Sequence, residues 1–332
     1  MLHVIPAFSA DALRLDPALE TEKTVAALRA QLRAMRKRGL VLGLSGGIDS
    51  SVSVALAVRA VGAQNVTVLY MPERDSDPES LRLGRLVAHT YGLEGVVEDI
   101  GPMLDALGCY ARRDAAIRQI VPEYGSDWAC KVVIGQSAGG EGYNISSLVV
   151  QALDGTRSTH RMPLEVYLGV VAATNMKQRT RKQIEYFHAD RLNFAVLGTP
   201  NRLEYDQGFF VKNGDGAADV KPIAHLYKTQ VYALAEYLGV PEEIRRRPPT
   251  TDTYSLPQSQ EEFYFALPYD LMDLCLYGLN TGIAADAVAA AAKLTEAQVN
   301  HVWRDIASKR KATKYLHAGP LLVEPVAEIE AR

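Results

Sequence analysis

A short segment rich in glycine and hydroxyl groups, Ser45 to Ser51 (SGGIDSS), has the residue types of a phosphate site. Its two glycines permit a tight turn and close approach of a ligand, and a following helix would present unpaired N–H groups and a positive dipole end. The hydroxyls of Ser45, Ser50 and Ser51 add donors. Asp49 is tolerable beside an anion mainly when a cation lies between them. The segment therefore predicts Mg²⁺ bound with a di- or triphosphate.

The same segment differs from the two common glycine-rich nucleotide motifs. The spacing GxxxxGK[ST] occurs nowhere in the chain, which disfavours γ-phosphoryl transfer by a P-loop enzyme, and GxGxxG is not present here. The pattern SGGxDS instead resembles the pyrophosphatase loop of the ATP pyrophosphatase superfamily, whose members cleave ATP between its α- and β-phosphates and adenylate an acceptor. An ordinary strand-to-helix turn is the alternative, but it leaves an aspartate flanked by hydroxyls unexplained.

A second group of motifs lies between residues 175 and 253. It comprises Asn175 to Arg181 (NMKQRTR), Gly198-Thr199 followed by Glu204, Gly208 to Asp219 (GFFVKNGDGAAD), Lys228, and Pro249 to Asp252 (PTTD). In order and spacing these resemble the motifs of NAD synthetases, and the resemblance covers roughly residues 20–105 and 170–280. The chain is identified as similar to the ammonia-dependent, single-domain type of that family.

The resemblance assigns expected roles to individual residues. The expected ATP contacts are Ser45, Gly46, Gly47, Ile48, Asp49, Ser50, Ser51, Thr199, Lys228 and Thr250. The expected contacts with deamido-NAD are Arg181, Lys212, Asp219 and, where the family has a His-Lys pair, Arg310 and Lys311. Asp49 and Glu204 are the expected Mg²⁺ ligands, and Asp215, Lys228 and Asp49 are the expected catalytic residues.

Each assignment has a simpler alternative. Lys177, Arg179 and Arg181 as a bare charge run would indicate a solvated helix face, whereas a guanidinium at Arg181 suits bidentate binding of a phosphate or carboxylate. Glu204 follows a predicted strand, which places it at the sheet edge where α/β folds bind ligands, and the alternative is a surface carboxylate that caps a helix. The segment 212–219 suits a loop that closes over substrate, or a plain surface loop.

The implied reaction has two steps. The carboxylate of deamido-NAD attacks the α-phosphorus of ATP and releases pyrophosphate, and ammonia then displaces AMP. This reaction needs no nucleophile from the protein, and catalysis would rest on positioning, on charge neutralisation by Mg²⁺, loop amides and Lys228, and on proton removal by a carboxylate such as Asp215. The segment before Ser45 is too short for a glutaminase, so we expect free ammonia or a separate glutaminase subunit. A homodimer is expected from the resemblance alone.

Some features depart from the family pattern. Arg310 stands where the family has histidine, Tyr70 stands where a basic residue precedes the turn, and the segments 108–165 and 257–268 are longer or different. These departures leave open a paralogous ligase that amidates another carboxylate. Two alternatives from other classes remain. A thiolating or other adenylating enzyme would favour a basic face and reactive cysteines, neither of which is evident. A non-catalytic nucleotide-binding regulator should have lost Asp49 or Glu204, and both are present.

The elements that would position these residues alternate between strand and helix. Helix-like segments at 21–37, 50–60, 78–91 and 229–238 separate continuous apolar runs at 41–44, 66–71, 96–97 and 194–197. Strands without polar alternation indicate a parallel sheet that is covered on both faces. The predicted fold class is therefore a doubly wound α/β (Rossmann-like) fold of the ATP pyrophosphatase type.

We expect one domain over residues 1–332, divided into four parts. Residues 20–107 would hold the pyrophosphatase loop, 108–165 an insertion of irregular structure, 166–282 the substrate and Mg²⁺ part, and 283–332 a helical tail. In that tail, Thr295 and Gln298 predict a capping box for a helix that reaches about Lys309.

Composition excludes several classes of function. A net charge of -3 provides no positive field for nucleic acid. Three cysteines without a CxxC pair argue against a disulfide framework or zinc site. Since the sequence shows neither a signal peptide nor a long apolar run, we expect no membrane association and a cytoplasmic location.

Overall fold

A four-stranded parallel sheet forms the centre of the fold. The computed structural model describes residues 8–135, 145–250, 253–265 and 267–326. The parallel strands are β1 (Leu40–Gly43), β2 (Val66–Tyr70), β3 (Gly95–Val97) and a strand after residue 190, Ala195–Val196, in the order β3, β2, β1, Ala195–Val196. The loop after β1 therefore lies where the strand order reverses, which is the usual ligand position in such folds.

Helices cover both faces of this sheet. In the described part of the chain the helices are α1 (Pro17–Met35), α2 (Ile48–Val61), α3 (Pro78–Thr90), α4 (Gly101–Ala106), α5 (Cys109–Arg118), α6 (Leu164–Leu192), α7 (Arg202–Gln207), α8 (Lys228–Leu238), α9 (Glu242–Arg246), α10 (Tyr269–Thr281), α11 (Ala285–Ala292) and α12 (Glu296–Thr313). Of these, α10 to α12 belong to a separate core. Leu40 and Leu42 point into a core with α1, α2 and α8, while Val41 points to the opposite face beneath α6. This alternation across one strand confirms the doubly wound fold.

A second sheet lies in the segment for which the sequence predicted irregular structure. Its strands β4 (Ala129–Gly135), β5 (Ile145–Gln151) and β6 (Arg157–Arg161) are antiparallel. The strand Ala195–Val196 is therefore β7 in chain order. Val132 and Leu148 pack with Val166 and Val170 of α6 in a separate core. The glycine cluster at 139–143, which suggested a loop, lies outside the described residues.

Helix α6 connects the two sheets. Its 29 residues span about 43 Å at the usual rise per residue. Val166 and Val170 contact the antiparallel sheet, and Ala189 lies in the core of the parallel sheet. The sequence had indicated a helix only around residues 177–181, so the extent of α6 was not predicted.

Helices α10 to α12 pack together as a C-terminal group. The predicted capping box at the start of α12 is confirmed, because the Thr295 side chain accepts a hydrogen bond from the Gln298 N–H and Gln298 reciprocates. All three cysteines are buried and carry free thiols. None of the helices in the described ranges has the length and apolar content that a membrane crossing requires.

Candidate active site

The glycine loop follows β1 directly and opens α2. Gly46 has φ +74°, and a Cβ atom there would lie within 3.0 Å of Leu83, Gly84 and Ser80 on α3. A side chain at position 46 is therefore excluded both by conformation and by space. Gly47 is the N-cap residue of α2, so the first N–H groups of that helix face the loop without a side-chain cap. This is the arrangement of an anion site.

Two carboxylates and one lysine meet beside this loop. The Lys228 ammonium is 2% exposed and donates to Asp49 Oδ2 at 2.5 Å. Asn201 links the two acids, because its side chain donates to Asp49 Oδ1 at 3.2 Å and its backbone N–H donates to Glu204 Oε2 at 3.1 Å. Gln260 donates to the other Glu204 oxygen at 2.9 Å. The cluster therefore joins elements that follow β1 and β7 with the segment before α10.

The electrostatics of this cluster favour an added cation. Burial together with the neighbouring Asp49 raises the pKa of Glu204 to about 8. Burial opposes the charge of Lys228, but Asp49 and Glu204 outweigh it and raise the pKa of its ammonium. One lysine thus offsets only part of the repulsion between two carboxylates, and a divalent ion would offset the rest.

Asp273 fixes the start of the helix that carries Lys228. Its two oxygens accept hydrogen bonds from the backbone N–H groups of Lys228 and Thr229 at 3.2 and 2.7 Å. Asp273 is fully buried, and that burial raises its pKa to about 6. A carboxylate at a helix N-terminus is stabilised by the helix dipole, so Asp273 holds the backbone of Lys228 in place.

A cavity of about 970 Å³ extends from the glycine loop. The residues predicted from the sequence that line it are Ser45, Gly46, Gly47, Ile48, Asp49, Ser50, Arg181, Thr199, Glu204, Lys212, Asp215, Lys228 and Thr250. The fold thus brings together most of the predicted site from segments far apart in the sequence. Val132 and Ser146 of the antiparallel sheet also contribute to its wall.

Four predicted residues do not line this cavity. The Ser51 hydroxyl is buried and donates to the Gly47 carbonyl at 2.7 Å. Asp219 accepts a hydrogen bond from the Val196 N–H at 2.7 Å, and thereby fixes the end of β7. Arg310 is engaged by both oxygens of Asp206, and Lys311 is exposed on α12. Within this chain, these four residues have structural partners or lie at the surface, away from the cavity.

The loop predicted to close over substrate is fastened to the C-terminal segment. The Lys212 ammonium donates to the carbonyl oxygens of Tyr315 and Ala318 at 2.8 and 2.9 Å. Inside the loop, Asp215 Oδ1 accepts a hydrogen bond from the Val211 N–H, and burial raises the pKa of Asp215. Tyr315 also lines the cavity, so loop and tail form one wall.

A buried ion pair on α6 lines the cavity and was missed from the sequence. Lys182 donates to Glu185 Oε2 at 2.6 Å, and both side chains are less than 10% exposed. Burial raises the pKa of Glu185, and the charge of Asp215 adds to the effect. For Asp215, burial raises the pKa, and the positive charge of Lys182 opposes part of that rise. The sequence shows that Lys182 and Glu185 are three residues apart and can pair on a helix, but it does not show that the pair lies in a cavity wall.

Arg181 and Lys177 have contrasting environments on the same helix. Arg181 makes no hydrogen bond or ion pair with any residue in the described ranges, and it lines the cavity. Lys177 is 2% exposed and pairs with Glu73 and Asp75, so the interpretation of this run as a solvated face is wrong at Lys177. The alternative for Glu204 holds in part: it completes a capping box with Asn201 on α7, yet it is partly buried in the cavity wall.

Comparison with known proteins decides the family. The family model described as NAD synthase matches residues 20–123 and 165–315. The chain belongs to the NAD synthase family. It is 76% identical to the NH(3)-dependent NAD(+) synthetase of Rhizobium meliloti (strain 1021), and the match covers 97% of each chain.

Two solved structures share the fold. The NMN synthetase from Francisella tularensis matches with a TM-score of 0.64 and 22% identity over 94% of this chain and 100% of that one. The NH3-dependent NAD synthetase from Campylobacter jejuni subsp. jejuni NCTC 11168 matches with a TM-score of 0.62, the same identity and the same coverage. The resemblance to NAD synthetases and the predicted fold class are thereby confirmed. The family match omits residues 124–164, which contain the antiparallel sheet.

Proposed function

We propose that this protein forms NAD from deamido-NAD, ATP and ammonia, and releases AMP and pyrophosphate. The observation that carries the proposal is that one cavity joins the glycine loop, the Lys228, Asp49 and Glu204 cluster, and Asp215. High identity to an NH(3)-dependent NAD(+) synthetase over nearly the whole chain supports it. The cavity volume is at the upper end of the range typical of small-molecule sites, as two nucleotide substrates require.

In the first step, the substrate carboxylate attacks the α-phosphorus and pyrophosphate leaves. We assign the N–H groups at the start of α2 and the ammonium of Lys228, which belong to the wall of the same cavity, to the leaving pyrophosphate, on which negative charge accumulates. Preorganised donors of this kind lower the barrier because they need not reorient during the reaction. We assign Ser45 to Ser50, Thr199 and Thr250 to ATP because they line the cavity, and Arg181 to the dinucleotide because its guanidinium can bind a phosphate or carboxylate bidentately from the cavity wall.

We propose that Asp49 and Glu204 hold Mg²⁺. The donor set fits: two carboxylates offer oxygen atoms, and the raised pKa of Glu204 marks repulsion that a cation would relieve. No cluster of three or more potential ligands occurs in the described part of the chain, so phosphate and water oxygens would complete the coordination. The bound ion would neutralise phosphate charge. Since Lys228 already occupies one Asp49 oxygen, the lysine and the ion share this carboxylate.

In the second step, ammonium must lose a proton before its nitrogen can attack the adenylate. Asp215 is the acceptor we propose, because it lines the cavity and burial raises its pKa. A raised pKa makes a carboxylate a better base at neutral pH. Asp219, Arg310 and Lys311 stay predicted dinucleotide contacts, which a substrate complex would test.

One assay tests the proposed reaction. Purified protein with ATP, Mg²⁺, deamido-NAD and ammonium should yield NAD and AMP in equal amounts. Formation of AMP only with another acid, such as nicotinate mononucleotide, would replace the named substrate and keep the reaction class. Glutamine in place of ammonium should give no product unless a separate glutaminase is added.

We also propose a homodimer and a cytoplasmic location. Three buried free thiols suit a reducing compartment. Light scattering of the purified protein tests the dimer, because a mass near that of one chain would contradict it. Fractionation of the source cells tests the location.

A further inference from the structure

Two segments of the chain contribute to the cavity wall. The first, residues 72–78, follows β2 and contributes Glu73, Ser76 and Asp77. The second, residues 247–254, follows α9; it contributes Thr250 and Thr253 to the wall, and its residues 251–252 lie outside the described ranges. Neither segment belongs to a helix or strand of the core over most of its length. Their relative position therefore depends on side-chain contacts.

Lys177 joins these segments from beneath the cavity. Its ammonium donates to Glu73 Oε1 at 3.0 Å, to Asp75 Oδ2 at 2.7 Å and to the Thr253 carbonyl oxygen at 3.1 Å. An ammonium has three donors, and all three are used. Lys177 is 2% exposed and does not line the cavity, so it is not placed to touch a ligand itself.

The same cluster contains a second buried cation. Arg113 pairs with Asp75 at 2.5 Å and with Asp114 at 2.8 Å, and it is also 2% exposed. Tyr110 donates to the remaining Glu73 oxygen at 2.8 Å. Among the described residues of the 247–254 segment, none forms a hydrogen bond or ion pair with Arg113. Arg113 thus shares the burial and the charge of Lys177, but not its connection across the two segments.

The energetics favour a positioning role over a stabilising one. Buried ion pairs often add little net stability, because desolvation offsets the attraction, but removing one partner is costly. What such a cluster does supply is fixed geometry, since each acceptor must lie at hydrogen-bond distance from the same donor. A second contact, from Arg247 to Asp77 Oδ2 at 2.7 Å, joins the same two segments at another point.

We infer that Lys177 is a positioning residue that holds residues 72–78 in register with the described residues 247–250 and 253–254, as the ATP-binding wall of the cavity. This inference rests on the proposed function for the identity of the ligand. Lys177 lies four residues before Arg181 on the same face of α6, so the helix that positions this wall also carries the proposed dinucleotide contact. Misplacement of the wall should weaken ATP binding and leave the later attack of ammonia on the adenylate unchanged.

The test compares K177M with R113M, its matched control in the same cluster. We expect K177M to raise the KM for ATP by about tenfold or more, because small displacements of positioning groups have effects of this size, while the KM for ammonium stays at the wild-type value. R113M should lower thermal stability by a similar amount but change the KM for ATP far less. Equal KM changes in the two variants, or a change that follows thermal stability alone, would overturn the inference.

Two further measurements keep the result interpretable. Titration calorimetry with a non-hydrolysable ATP analogue gives a dissociation constant without turnover, so an inactive wild-type protein would refute the proposed function but not this inference. K177R retains the charge and should fold even if K177M does not. Its planar head group cannot place three donors as an ammonium does, so weaker analogue binding is expected. If K177R bound the analogue with the wild-type dissociation constant and kept the wild-type KM for ATP, the positioning role of Lys177 would be contradicted.

Discussion

Replacement of Lys228 by methionine isolates the charge at the centre of the site. Methionine preserves the length and apolar stem of the side chain, and the backbone N–H keeps its bond to Asp273. The substitution removes the ammonium that contacts Asp49 and leaves Asp49 and Glu204 facing each other without a cation. The loss is therefore electrostatic rather than one of volume.

The expected loss of folding stability in K228M follows from the burial of the ion pair. Breaking a buried ion pair by removal of one partner costs about 3–5 kcal/mol, and the 16% exposure of Asp49 places this case near about 3 kcal/mol. The double variant K228M/D49N leaves no unpaired charge from the pair, so its free energy of unfolding should lie within about 1 kcal/mol of the wild-type value. Both variants should lose at least about a hundredfold in adenylation rate, because the leaving group loses its donor.

Urea unfolding and ATP–pyrophosphate exchange measure the two effects separately. In a double-mutant cycle, the stability losses of K228M and D49N should exceed that of the double variant by about 2 kcal/mol or more. Stability losses that add within about 0.5 kcal/mol would refute the idea that Lys228 and Asp49 compensate each other. Unfolding without added Mg²⁺ is the appropriate condition, since a bound ion would replace part of the missing charge.

Three other predictions follow from the geometry of single residues. G46A should destabilise the protein by more than about 1–2 kcal/mol and abolish binding of an ATP analogue, because φ is +74° and the new Cβ would meet Leu83; thermal unfolding and calorimetry check this. D273N should remove the pH dependence of stability that Asp273 contributes. The pKa of Asp273 is about 6 in the folded protein and 3.8 ordinarily, so the native state binds the proton more tightly than the unfolded state does. The wild type therefore loses stability as the pH rises through this range. From pH 4 to pH 7 the wild type should lose about 2.4 kcal/mol relative to D273N in urea unfolding, and parallel pH profiles would contradict this. E185Q should leave the charge of Lys182 uncompensated beside Asp215 and thereby lower the pKa of Asp215. In steady-state assays, kcat/KM for ammonium should then fall and the acid limb of its pH profile should move to lower pH. The KM for ATP should stay unchanged and is the control.

Local motifs explain what the sequence predicted well. The glycine loop, its flanking strand and its helix are contiguous, so their chemistry and their structure are encoded together. The boundaries were also close: α3 was expected over 78–91 and lies at Pro78–Thr90. Gly239 has φ +78° and ends α8 as expected from its position in the sequence.

Contacts between distant segments explain what the sequence did not reveal. Gln260 contacts Glu204 only because the fold brings two distant segments together, and it belongs to none of the motifs quoted from the sequence. Asn201 is a local capping partner of Glu204, but its contact with Asp49 also joins segments that are far apart in the chain. Helix α6 buries Lys177, Lys182 and Glu185, so its polar residues do not mark a solvent face and the usual amphipathic pattern is lost. Strands β4 and β5 have seven residues each, but their sequences ACKVVIG and ISSLVVQ do not alternate strictly between apolar and polar residues, so the usual strand pattern is missing.

The antiparallel sheet has a practical consequence for inhibitor design. Val132 and Ser146 belong to the wall of the substrate cavity, yet they come from the stretch that the family match omits. A nucleotide analogue confined to the glycine loop would meet chemistry that the family motifs share. An extension that reaches this second wall would instead contact side chains outside the family pattern, and selectivity between family members could be built there.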